Sequence, residues 1–90
     1  MSIRISGIEY AVDYLLPEHM HGNIGLADFN NQRIMIDTTA TQQTKNIALL
    51  HEVLHLIDKT YSIGLTEQQV TTLAHALIAL SVDNPSLAIV

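Results

Sequence analysis

Over the first dozen residues the apolar side chains keep mostly to alternate positions, at Ile3, Ile5, Ile8, Tyr10 and Val12, with Ser6-Gly7 interrupting the run. A period of two is the signature of a strand, and a Ser-Gly break between two such runs predicts a short hairpin. The segment PEHMHGN, residues 17–23, contains a proline, a glycine and an asparagine and reads as a loop. After it, GLADF and RIMID flank Asn30-Asn31. Asparagine tolerates the positive φ of a tight turn, so a second hairpin is expected there. Ile34 and Ile36 alternate with Arg33, Met35 and Asp37, which predicts a half-buried strand, placed at the edge of the sheet.

From about Thr41 the period changes. Ile47, Leu50, Val53, Leu54, Ile57 and Tyr61 recur at spacings of three and four, which predicts an amphipathic helix over 41–61. Thr39 with Gln42 fits a capping box at its start, and Gly64 lies just past its end. A second capping-box pattern, Thr66 with Gln69, opens another helix whose stripe runs through Val70, Leu73, Ala74, Leu77 and Leu80. Asn84-Pro85 ends it. Strands first and two helices afterwards place the chain in the α+β class, as one domain over residues 1–90 with a small, mostly antiparallel sheet packed on the two helices.

Composition narrows the possible chemistry. Four Lys or Arg stand against nine Asp or Glu, for a net charge of −5, so a surface that tracks phosphates is not expected and nucleic acid is set aside. No apolar run approaches the ~18 residues of a membrane span, and MSIRISGIEY lacks the apolar core of a signal peptide. With no cysteine in the chain there is neither a thiolate ligand nor a thiol nucleophile, and a reducing, cytoplasmic setting is expected.

Five histidines in ninety residues are about twice the usual share, a weak hint by themselves. HEVLH, residues 51–55, is an H-E-x-x-H motif in the middle of the first helix. Residues four apart lie one turn apart on one helix face, so His51 and His55 can point at a single ion with Zn–N bonds of about 2.0–2.1 Å. Glu52 is rotated by about 100° from His51. It need not bind the ion and can act as general base toward a water whose pKa zinc lowers to about 7. The ordinary alternative is a helix that merely packs two imidazoles.

A third protein ligand is still required. Glu67, twelve residues after His55, shares the inward stripe of the second helix and is the leading candidate, although an acidic residue there also complements a helix N-terminus. Asp58 lies one turn beyond His55 on the same face and can instead orient an imidazole or stand exposed. His75 lies two turns beyond Glu67, a rise of about 12 Å, too far for both to share an ion easily. His19 and His21 read as surface histidines of the loop or as the mouth of a cleft. The residue that would stabilise an oxyanion is unassigned, with Tyr61 or a histidine outside the ligand set as candidates.

GLADFNNQRIMID, a polar segment, ALLHEVLHLID, LTEQQVTTLAHAL and DNP, taken together, resemble the small phage-type metallopeptidase-like proteins related to the ImmA/IrrE zinc peptidases, within the zincin group. The resemblance covers about residues 22–85. Its most specific part after the motif is E-x-x-V-x-x-L-A from Glu67 to Ala74, similar to a helix that supplies the glutamate ligand in the larger relatives. It implies a minimal zincin fold and Zn2+ held by His51, His55 and Glu67, with Glu52 as general base. It also implies a protein or peptide substrate, with regulatory proteins as the targets. The competing expectation is a zinc-binding, non-catalytic interaction module of phage or mobile-element origin.

Overall fold

The computed structural model describes residues 1–87. Strands β1 (Ser2–Ile5) and β2 (Ile8–Leu15) form the first hairpin. Ser6 and Gly7 both take positive φ, at 50° and 83°, the conformation that matches the right-handed twist of the flanking strands. The loop after β2 contains a one-turn 3-10 helix, Pro17–His19, and is pinned by Met20, whose side chain is fully buried. Strands β3 (Gly25–Asp28) and β4 (Arg33–Asp37) form the second hairpin. Its left-handed residue is Gln32, not an asparagine: Asp28 accepts from the Asn31 backbone N–H at 3.1 Å and from Asn31 Nδ2 at 2.8 Å, and the reversal falls one residue later.

The sheet order is β1-β2-β4-β3, with β2 and β4 parallel and the other two pairings antiparallel. This corrects the position of RIMID. β4 is paired on both sides, and the free edge on that flank belongs to β3. One sheet face is apolar and covered: Ile5, Tyr10, Val12, Ile34 and Ile36 form a buried cluster with Ala48 and Leu56 of helix α1 (Gln42–Tyr61). The other face carries Arg33, Asp13, Met35 and Asp37. Arg33 and Asp13 pair across it at 3.0 Å.

Helix α1 starts at Thr41, whose side chain accepts from the Thr44 N–H. Thr39 is not the cap because Asp37 already holds it, accepting from its N–H at 2.8 Å and its hydroxyl at 2.7 Å. Ser62, in the left-handed conformation, ends the helix, and Gly64 is a second left-handed residue inside the following turn. Lys45 and Lys59 lie over the rings of Tyr14 and Phe29, bracketing α1 on the sheet. Helix α2 (Glu67–Asp83) opens with the expected reciprocal box, Gln69 N–H to Thr66 and Thr66 N–H to Gln69, and packs mainly on α1. Among the described residues no helix is long and apolar enough to cross a membrane.

Candidate metal centre

The sheet-facing sector of α1 runs through Ala48, Leu49, Val53, Leu56 and Ile57. At about 100° per residue, Glu52 falls inside that sector, between Ala48 and Leu56, while His55 and His51 fall about 20° and 60° beyond its Ala48 edge. The packing of one apolar sector therefore aims all three side chains at the space between α1, β3 and the start of α2. His51 and His55 are partly buried, and Glu52 is the one buried charged residue of the described chain.

The donor atoms converge. His51 Nε2 stands 2.7 Å from one carboxylate oxygen of Glu67, and His55 Nε2 stands 2.9 Å from the other. The two Nε2 atoms are 3.1 Å apart. A tetrahedral ion with bonds of about 2.0–2.1 Å separates its ligand atoms by roughly 3.3 Å. The three side chains need to open by only a few tenths of an ångström to hold such an ion. Two imidazole nitrogens and a carboxylate also form a donor set that zinc accepts. His51, His55 and Glu67 are thus a group that can hold a metal ion, and among the described residues they are the group with that geometry.

Other sequence candidates are placed elsewhere. Asp58 is not in the cluster: its Oδ1 accepts from the backbone N–H groups of Gly64 at 2.7 Å and Leu65 at 3.1 Å. Tyr61 hydrogen-bonds Ser6 in the β1–β2 turn, on the flank of the sheet opposite β3. His19 and His21 are exposed and line neither cavity beside Glu52. His75 does line one of them, with its Nδ1 at 2.9 Å from the Thr71 carbonyl oxygen.

Two cavities flank Glu52. One, of about 720 Å³, reaches from Ala27 and Phe29 to His55 and Lys59. The other, of about 480 Å³, lies between Asn23, Gly25, Thr44, His51 and His75. Burial raises the pKa of Glu52, partly offset by the nearby imidazoles, while the Glu67 charge pushes it further up. Gly25 is the residue the sequence reasoning missed. A Cβ there would stand 3.0 Å from Glu52 Oε2 and 3.1 Å from its Cγ, closer than ordinary van der Waals contact, so any other residue would make the Glu52 side chain give by a few tenths of an ångström. A lone glycine within a strand pattern is the signal that marks such an approach.

No protein-family model matches the chain, and no curated protein or solved structure matches it either.

Proposed function

We propose that the chain is a zinc-dependent peptidase of the HExxH type, akin to the ImmA/IrrE peptidases. The observation that carries this reading is the meeting of His51 Nε2, His55 Nε2 and both Glu67 oxygens beside a buried glutamate at the edge of the sheet. In this reading His51, His55 and Glu67 hold Zn2+. Zinc, when bound, polarises a peptide carbonyl and makes water a nucleophile at neutral pH.

The chain's own groups do the rest. Glu52 takes the proton of the attacking water and delivers it to the leaving amine. A carboxyl made more basic by burial is suited to that task. Among the described residues the outer edge of β3 has no strand partner, and it runs beside Glu52, so an extended peptide can add to it through backbone hydrogen bonds. This role belongs to β3 and not to RIMID, whose two sides are already paired. The cavities on either side of Glu52 then receive side chains flanking the scissile bond. His75 is the histidine outside the ligand set that can reach a carbonyl oxygen in that cleft. The substrate class is protein or peptide and the setting cytoplasmic.

The test is a pair of measurements. Purified chain reconstituted with zinc is expected to hold one ion per molecule by elemental analysis. Glu52→Gln is expected to keep that ion, lose peptide hydrolysis by about 10²-fold or more, and retain uncleaved substrate in a pull-down read by mass spectrometry. Stoichiometric zinc with no cleavage by the wild-type chain would leave a metal-holding interaction module in place of a peptidase, and cleavage unchanged in Glu52→Gln would overturn Glu52 as the base.

A further inference from the structure

The third donor arrives on a different helix from the first two, and the turn between them is organised by one residue. The backbone carbonyl of Asp58 accepts from the N–H of Ser62 and, at 3.2 Å, from that of Ile63. Its side-chain Oδ1 accepts from the N–H of Gly64 at 2.7 Å and of Leu65 at 3.1 Å. Four consecutive N–H groups therefore end on Asp58. The path they hold is not one the chain adopts by default, since Ser62 and Gly64 both have left-handed φ, at 53° and 87°. Two residues after Leu65 comes Glu67, in the first turn of α2 behind the Thr66–Gln69 box.

Glu67 has little else to fix it. Its side chain is 67% exposed, and its polar contacts are the two histidines themselves. Asp58 lies three residues after His55, so the anchor of the turn and the second histidine share a rigid stretch of α1.

We propose that Asp58 is the positioning residue of the third metal ligand: it sets metal affinity through Glu67 without touching the ion. The proposal rests on reading His51, His55 and Glu67 as a metal site, and does not require the site to hydrolyse anything. With the turn tied, Glu67 is delivered to the histidine pair already placed. With the turn free, binding must also order residues 62–66, and that ordering opposes affinity.

The experiment is a double-mutant cycle on zinc affinity, measured by competition with a chromophoric chelator at a temperature where circular dichroism shows each variant folded. Asp58→Ala is expected to weaken zinc binding by about tenfold to a hundredfold, the range typical of residues that orient a ligand. In a Glu67→Ala background the same change is expected to cost less than about twofold, because the group it positions is gone. Asp58→Asn keeps an acceptor oxygen without its charge and is expected to recover part of the affinity, remaining about twofold to fivefold below wild type. An equal loss in both backgrounds would show a through-space charge effect or general loosening and overturn the proposal, as would an unchanged affinity in Asp58→Ala. Should Asp58→Ala not fold, Asp58→Asn carries the same cycle: a loss of about twofold or more that vanishes in the Glu67→Ala background supports the proposal, and its persistence or absence sinks it. Wild-type protein that binds no zinc would remove the metal site itself, a failure distinct from an intact site that ignores Asp58.

Discussion

The two helices are held in opposite ways. α1 lies on the sheet, with Leu56 only 2% exposed and a lysine resting on an aromatic ring near each end. α2 leans mainly on α1; Val70 and Ala74 are its buried residues, while Leu73 and Leu80 are each 40% exposed. The first two donors and the buried glutamate ride on the helix that the core holds. The third donor rides on the helix that it does not. An ion shared by His51, His55 and Glu67 would bridge the two helices and contribute folding energy where packing contributes least.

The largest effects should come from breaking that bridge. His55→Ala and Glu67→Ala are each expected to lower zinc affinity on the order of a thousandfold, about 4 kcal/mol, in a chelator competition. The sheet and α2 should part company in hydrogen exchange. Zinc should slow exchange across α2 far more than across the sheet, and Glu67→Ala should abolish that protection. Equal protection of both regions would mean that the ion is not what fastens α2.

Next comes the packing contrast itself. Leu56→Ala removes a fully buried side chain and should cost about 2–5 kcal/mol in urea unfolding. Leu80→Ala, on the open face of α2, should stay below about 1 kcal/mol. Comparable costs would show that α2 is packed as tightly as α1. Below Leu56→Ala in cost comes Gly25→Ala. The added methyl meets Glu52 Oε2 at 3.0 Å, so Glu52 must shift, at a cost of about 1–3 kcal/mol. Zinc content should survive this change, and the peptide hydrolysis proposed above should fall. Full activity in Gly25→Ala would mean that the position of Glu52 is not critical.

What the chain made legible follows the range of each interaction. The HExxH helix, the Ser6-Gly7 hairpin and the Thr66–Gln69 box all depend on residues a few positions apart, and all stand where the sequence put them. Glu67 was found because its own stripe points inward. Strand order was not legible: β2 and β4 pair in parallel although β3 lies between them in the chain, and nothing local encodes that. The stripe on α1 was read only in part. α1 meets both the sheet and α2, so its apolar residues spread over more than one sector, and Ala48 and Leu56, the contacts buried on the sheet, were passed over. Met20 was hidden in a segment whose proline and glycine mark it as loop, although its side chain is fully buried. Thr39 looked like a cap because sequence spacing cannot show that Asp37 has already captured it.

That capture gives the smallest prediction, and it sharpens the contrast between the helix junctions. Asp37 ties the chain entering α1 as Asp58 ties the chain leaving it, each carboxylate accepting two hydrogen bonds from residues just downstream. The bonds from Thr39 hold the Asp37 pKa below its ordinary 3.8, burial opposes this, and the charge of Lys45 adds to it. A carboxyl with a depressed folded-state pKa stabilises the fold above its unfolded value, and that contribution disappears as pH falls through the folded value. The melting temperature of Asp37→Ala should therefore lie slightly below that of wild type near neutrality and converge on it below pH 3.8. Its zinc affinity near neutrality should match wild type, because the junction it holds leads into a helix already fixed by the core. If Asp37→Ala weakened zinc as much as Asp58→Ala does, the entry to α1 would matter to the metal as much as its exit, and the difference between the two helices would not govern the site.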